Sequence, residues 1–171
     1  HRDLHSFPTR RSSDLISLGG GVLQYTSSNN TDYSARFSTA ASQAYNIDTN
    51  GWSMTFAGAL SSSGGTLTKL GSGTLTLAGA NSYTGDTTIS AGTLAVSGTL
   101  GSGAYSADIS VASGANLSLN SSTDQILSGT ISGSGSLSQL GSSTTTLSGN
   151  NSFSGGVILN AGTISLGSAG A

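Results

Sequence analysis

Residues 65–96, GTLTKLGSGTLTLAGANSYTGDTTISAGTLAV, recur without a gap as residues 135–166, GSLSQLGSSTTTLSGNNSFSGGVILNAGTISL. Fifteen of the 32 aligned positions are identical, among them Gly71, Gly79, Asn81, Gly85, Ala91, Gly92 and Thr93. Most of the others change like for like: Tyr83 becomes Phe153, Leu94 becomes Ile164 and Val96 becomes Leu166. Two such copies encode one backbone path, so the chain is expected to build a repetitive architecture.

Within each copy apolar residues alternate with small polar ones, Leu75 and Leu77 with Thr74 and Thr76, then Leu94 and Val96 about Ala95. Period-two alternation marks strands with one buried face. Glycines at 71, 79, 85, 92 and 98 close the runs, which predicts short strands and tight bends. No helical i, i+3, i+4 stripe interrupts them. Strands this short cannot bury an apolar face alone, but stacked coils merge many small faces into one core. The expected register points Leu75, Leu77, Leu94, Val96, Leu147, Ile164 and Leu166 inward, and Thr74, Thr76 and Thr93 outward. Asn81 and Asn151 fall in the corner between two strands, where asparagine tolerates left-handed backbone and hydrogen-bonds the turn. The ring of Tyr83 or Phe153 beside it is expected to cover the core.

The run GSGTLTLAGANSYTG at residues 71–85, followed by AGTL at 91–94, resembles the autotransporter-associated β-strand repeat, also called the passenger-associated transport repeat. The second copy departs from that pattern at Ser143, Thr145 and Gly156. Thr145 puts a hydroxyl where Leu75 is expected to be buried, so its coil is expected to pack less well. Residues 17–38 and 46–58 also resemble what precedes the repeat in such proteins, so the resemblance covers most of residues 16–171. It implies an all-β fold, a right-handed parallel β-helix (β-solenoid). It also implies a stalk-like passenger segment exported through the outer membrane of a Gram-negative bacterium to the cell surface. The implied partner is the protein's own C-terminal outer-membrane barrel. The resemblance names no ligand.

Composition agrees with such a solenoid. Charged residues make up 7% of the chain, against about a quarter in ordinary domains. A disordered chain would carry more charge and less alternation, and a collagen would need glycine at every third position. The first fifteen residues, HRDLHSFPTRRSSDL, stand apart: they hold both histidines, the one proline and three of the five basic residues. They resemble the conceptual translation of a sequencing adapter, and residues 1–15 are expected to be a non-native, disordered segment outside the fold. Beyond them Arg36 and Lys69 face Asp32, Asp48, Asp86, Asp108 and Asp124, a net charge of −3 over residues 16–171. An acidic chain without a basic patch does not suit nucleic acid. The absence of cysteine excludes a disulfide scaffold and a thiolate metal site. With neither signal peptide nor barrel in sight, the chain is expected to be a piece of a longer protein.

Taken in order, residues 16–25 (ISLGGGVLQY) are expected to form two short strands around a triple-glycine bend, and residues 26–39 a polar loop. Residues 44–48 and 52–57 read as strands joined by the Asp-Thr-Asn-Gly turn at 48–51. Trp52, Met54 and Phe56 alternate with Ser53 and Thr55, giving an apolar face that is core or, on a sharper reading, a carbohydrate-stacking platform. Between the copies, residues 108–114, 116–120 and 124–131 repeat the same grammar. At about 20–25 residues per coil, residues 16–171 would make a single solenoid segment of about six or seven coils.

No catalytic, cofactor or metal residue is expected. Glycoside hydrolysis needs two carboxylates about 5–10 Å apart, and Asp108 with Asp124 is the one pair worth testing. Each begins a strand, a position that aspartate favours for turn capping. Beyond the first fifteen residues no histidine is available for a triad. The glycine clusters at residues 100–103 and 132–136 lack the lysine and helix of a phosphate loop. Tandem calcium-binding nonapeptides and an EF-hand are absent, and the sequons at Asn29 and Asn116 are ordinary in so Ser/Thr-rich a chain. Three roles therefore stay open: a structural stalk, an adhesin-type module for polysaccharide or a host surface, and an ice-binding face built from Thr66/Thr68, Thr74/Thr76 and Thr144/Thr146. The first two Thr-x-Thr pairs lie only eight residues apart, too close for one pair per coil.

Overall fold

A computed structural model describes residues 15–167. The expectation for the opening segment therefore lies outside the described residues, except for Leu15. Sixteen strands wind into stacked coils, about seven turns in all, and form three sheets. Sheet 1 contains β1 (Gly19–Gln24), β2 (Ala44–Asp48), β4 (Thr66–Leu70), β6 (Thr87–Ile89), β9 (Ile109–Val111) and β12 (Ile131–Gly133). Sheet 2 contains β3 (Met54–Phe56), β5 (Thr74–Leu77), β7 (Thr93–Val96), β10 (Asn116–Leu119), β13 (Ser136–Gln139) and β15 (Val157–Leu159). Sheet 3 contains β8 (Ala104–Tyr105), β11 (Gln125–Leu127), β14 (Thr144–Leu147) and β16 (Thr163–Leu166). All ladders between these strands are parallel. The chain is the parallel β-solenoid that its alternation implied.

Register fixes the rung length. Leu75 lies opposite Leu94, nineteen residues on, and Leu94 opposite Leu117, twenty-three on. Along one column Met54, Leu75, Leu94, Leu117 and Leu137 sit one above another, so each rung presents the same apolar position to the same core. Leu75, Leu77, Leu94, Val96 and Leu147 are buried, while Thr74, Thr76 and Thr93 between them are half-buried and face outward. Ile164 and Leu166 take the same core-facing register positions, opposite the buried Thr145 and Leu147, and Ile164 packs against the core, but Ile164 is only half-buried and Leu166 is 63% exposed. They sit on β16, an edge strand of sheet 3, and among the described residues no further rung covers them.

Glycine makes close stacking possible at the corners. A Cβ on Gly98 would lie 2.0 Å from the Gly79 carbonyl oxygen, so the two rungs touch backbone to backbone there. Gly92 combines such an approach, 2.3 Å to the Gly73 carbonyl, with a left-handed φ of +66°.

The two sequence copies do not occupy the same faces. Residues 65–96 place their strands on sheets 1 and 2 (β4, β5, β6, β7), whereas residues 135–166 place theirs on sheets 2 and 3 (β13, β14, β15, β16). Within each copy the first two strands pair with the last two, β4 with β6 and β5 with β7, then β13 with β15 and β14 with β16. The repeat is thus a self-pairing two-rung unit, and its second copy is turned by one face. The segment carrying Asn81 or Asn151 crosses the remaining face of the triangle without a named strand.

Other sequence expectations need correction. Residues 16–25 form one strand rather than two, and Gly19 to Gly21 lie within β1 where its register against β2 shifts. A bulged edge strand absorbs glycine without turning the chain. The short β8 follows a 3-10 turn at Gly101–Gly103 and has too few residues to show alternation. Trp52 lies outside β3 and is 47% exposed, whereas Met54 and Phe56 are buried.

Candidate functional site

The buried polar groups are the first place to look for chemistry. Lys69 is fully buried, and its ammonium donates to the carbonyls of Leu70 (2.8 Å), Gly71 (2.7 Å) and Ala91 (3.1 Å). Burial pulls its pKa down to about 8, against the opposing pull of the Asp48 carboxylate. The second copy has Gln139 at this position, and its Nε2 donates to the carbonyls of Gly141 and Ser143 at 3.0 and 3.2 Å. In both copies an inward polar side chain ties the carbonyls of a glycine-rich corner. This use of Lys69 was not legible as a motif, because a lysine in an alternating strand normally faces water. The charge at Lys69 is occupied with structure.

Tyr83 is fully buried, as the corner ring was expected to be, and Phe153 packs half-buried against the core. The Tyr83 hydroxyl meets Thr87 Oγ1 at 2.7 Å, which in turn meets the Tyr105 hydroxyl at 2.8 Å. Tyr45, Tyr83 and Tyr105 run edge to face along the core, with centroid separations of 6.3 and 5.5 Å. Burial raises the phenol pKa of Tyr105 to about 12 and that of Tyr83 well above its ordinary value. A buried, hydrogen-bonded phenol offers no stacking surface to a ligand.

Asn81 accepts from the Leu60 N–H (2.9 Å) and donates to the carbonyls of Gly79 (2.8 Å) and Thr99 (3.1 Å). Asn151 repeats this with the Ile131 N–H (2.8 Å) and the Gly149 carbonyl (2.9 Å). Neither has a positive φ, so the hydrogen-bonding part of the expectation holds and the left-handed part does not. The asparagine is chosen for its amide, which joins neighbouring rungs.

The aspartates cap rungs. Asp86 Oδ1 accepts from the Asp108 N–H at 3.1 Å, and Asp108 Oδ1 from the Thr130 N–H at 2.7 Å. Asp124 Oδ1 accepts from the Thr144 N–H at 2.7 Å. Asp32 reaches the Ser34 and Ala57 N–H groups, and Asp48 the Asn50 N–H and the Gln24 amide. Asp108 precedes β9 on sheet 1 and Asp124 precedes β11 on sheet 3, so the pair singled out from sequence is split between two faces. Of the sequon asparagines, Asn29 is exposed and bonds Tyr33, while Asn116 is half-buried and accepts from Ser136 and Ser138.

What is left for contact with other molecules is the outer surface. The three Thr-x-Thr pairs fall on three different sheets, Thr66/Thr68 on sheet 1, Thr74/Thr76 on sheet 2 and Thr144/Thr146 on sheet 3. They therefore build no common threonine face. On sheet 2 one column runs Thr76, Ala95, Ser118 and Ser138, of which the last three are buried, and the next runs Thr74, Thr93, Asn116 and Ser136, all half-buried. No charged side chain stands in either column. Trp52 lies in the corner just before β3, with its carbonyl oxygen directly over Gly73.

Comparison with known proteins agrees with this architecture. Residues 67–96 and 137–166 match the family described as Passenger-associated-transport-repeat. Over 144 residues the chain is 35% identical to the "Adhesin BmaC autotransporter" of Brucella suis biovar 1 (strain 1330). That alignment covers 81% of this chain and 4% of the relative, so the chain spans a small part of the relative's length. No solved structure matches. Two self-pairing repeats on parallel stacked coils, with the family match falling on those repeats, identify the chain as an autotransporter-associated repeat protein.

Proposed function

We propose that this chain is a structural segment of an autotransporter passenger, exported through the outer membrane and displayed at the cell surface as part of a stalk. The observation that carries the reading is the absorption of polar chemistry into the stack. Lys69, Gln139, Asn81, Asn151 and the aspartates all bind backbone groups, many of them on a neighbouring rung. Such a rod needs contacts only between neighbouring coils, and its length grows with repeat number. Its partner in the full protein would be the C-terminal outer-membrane barrel. On this reading Asp108 and Asp124 perform no catalysis, and polysaccharide incubated with the chain should stay intact. The experiment places the chain between a secretion signal and an autotransporter barrel in a Gram-negative host. Protease added to intact cells should then cleave it from the surface; retention in the periplasm, protected from protease, would contradict the proposal.

A second reading, an adhesin-type module that binds surface glycans, is favoured by the exposed indole of Trp52 and by the adhesin name of the Brucella relative. The two roles are compatible, because a stalk can carry a contact face.

A further inference from the structure

We propose that Asn50 is a modification site: the main-chain nitrogen of Gly51 displaces its side-chain amide, and the carboxylate left behind loosens the first rung from the second. The proposal depends on neither the stalk nor the adhesin reading. Asn50 and Gly51 are the one Asn-Gly pair of the chain and sit in the turn at 48–51, between β2 and β3. Both are exposed and left-handed, with φ of +48° and +85°. The other amides of the turn are tied: Thr49 N–H to the Leu70 carbonyl at 3.1 Å, Asn50 N–H to Asp48 Oδ1 at 2.8 Å and Trp52 N–H to the Thr49 carbonyl at 2.8 Å. Among the described residues the Gly51 N–H donates no hydrogen bond. A Cβ on Gly51 would have Ser72 Oγ, at 3.7 Å, as its nearest contact, so there is room around it. Glycine's wide backbone freedom lets that peptide swing its nitrogen towards Asn50 Cγ. Other asparagines are followed by amides held in the stack: Ser82 N–H after Asn81 donates to the Leu60 carbonyl, Ser152 N–H after Asn151 to that of Ile131, and Ala161 N–H after Asn160 to that of Gln139.

The step balances without oxidant or reductant. Hydroxide removes the Gly51 amide proton, and the nitrogen forms a bond to Asn50 Cγ. The Cγ–Nδ2 bond breaks, and the amide takes a proton from water and leaves as ammonia. Water then opens the five-membered imide at either carbonyl, giving aspartate or, with the main chain rerouted through Cγ, isoaspartate. Asn50 Nδ2 now donates to the Tyr25 carbonyl on the first rung at 3.2 Å. A carboxylate has no proton to donate there, so an attractive tie becomes a repulsive one. It also stands beside Asp48, whose carboxylate holds the Gln24 amide of the same rung at 2.7 Å. Since a rung is held only by its neighbours, the loss falls on the first rung.

The experiment incubates the intact folded chain at mildly alkaline and mildly acidic pH and follows amide-to-carboxylate conversion, asparagine by asparagine, by peptide mass spectrometry. Asn50 should convert at least tenfold faster than Asn81, Asn151 or Asn160, and faster at the alkaline pH. Gly51→Ala should slow that conversion tenfold or more. Alanine is strained at this left-handed position, so Asn50→Gln, which would need a six-membered ring, serves as the parallel variant and should also be slow; circular dichroism checks that both fold. Asn50→Asp installs the product carboxylate directly. Its amide hydrogen exchange should quicken across residues 22–25 and stay unchanged in β10. An Asn50 rate no greater than that of the other asparagines, or one unaltered by both ring-slowing variants, would overturn the proposal. Exchange at residues 22–25 unchanged in Asn50→Asp would overturn the loosening of the first rung.

Discussion

The Thr145 hydroxyl donates to Gln139 Oε1 at 2.9 Å, deep inside the second repeat where both residues are fully buried. The first repeat has Leu75 and Lys69 at these positions. The sequence presents two unrelated departures, but the structure makes them one exchange. A glutamine that caps the corner with its amide nitrogen needs a donor for its oxygen, and Thr145 supplies it. The hydroxyl expected to loosen the coil instead completes a buried network, and an unpartnered Gln139 oxygen would be the costly alternative.

Thr145→Leu alone should therefore destabilise the chain by about 1–3 kcal/mol, because it leaves the Gln139 oxygen buried without a donor. Combining it with Gln139→Lys restores the pairing of the first repeat and should recover much of that loss. Urea unfolding of the two single variants and the double variant closes the cycle. A coupling below about 0.5 kcal/mol would show that the pair acts independently.

The register predicts opposite outcomes for neighbouring residues on β5. Leu77→Asp buries an unpaired carboxylate among stacked coils and should cost several kcal/mol, while Leu77→Ala should cost about 2–5 kcal/mol. Thr76→Asp, outward on the same strand, should cost little. Thermal melts followed by far-ultraviolet circular dichroism distinguish them; a Thr76 variant more damaging than the Leu77 variants would reverse the assigned faces.

Stability should depend on pH in two directions. The pKa of Lys69 is lowered by burial to about 8 in the fold against an ordinary value of 10.5, so between those values the unfolded chain binds the extra proton and stability rises with pH. Tyr25 and Tyr105, raised by burial to about 12 from 10.0, work the other way, and stability falls as pH climbs from 10 through 12. Tyr83 and Tyr45, also raised by burial, add to that fall. Urea midpoints should increase from pH 8 towards 10 and drop beyond it. Lys69→Gln should remove the rise and leave the fall; a wild-type midpoint unchanged from pH 8 to 12 would contradict both assignments.

Much of the fold was legible because alternation maps directly onto burial in a solenoid: Leu75 with Leu77, and Leu94 with Val96, all point into the core. Rung length was also close, since glycine marks each corner. The face assignment was not legible. Residues 65–96 and 135–166 share one local path, but the rungs between them vary from Leu94 to Leu117 and from Leu117 to Leu137, and only their sum decides which sheet the second copy meets. Lys69 and Trp52 were misleading for a common reason. Side-chain type predicts burial only statistically, and here three carbonyls draw the lysine in, while the corner before β3 turns the indole out. The aspartate caps were legible in kind, but their partners lie one rung away, beyond what sequence spacing shows.

Cysteine pairs test the winding most directly, because the chain has no cysteine of its own. Ile126 and Thr146 are register partners on sheet 3, so their Cα atoms should fall within the disulfide window of about 4.4–6.8 Å. Ser118 lies on sheet 2, the face that Thr146 would share if the second copy followed the first. Mild oxidation of the Ile126→Cys/Thr146→Cys chain should give an intramolecular disulfide in high yield, and the Ser118→Cys/Thr146→Cys chain should stay reduced. A disulfide in the second chain and none in the first would contradict a second repeat turned by one face on a parallel solenoid.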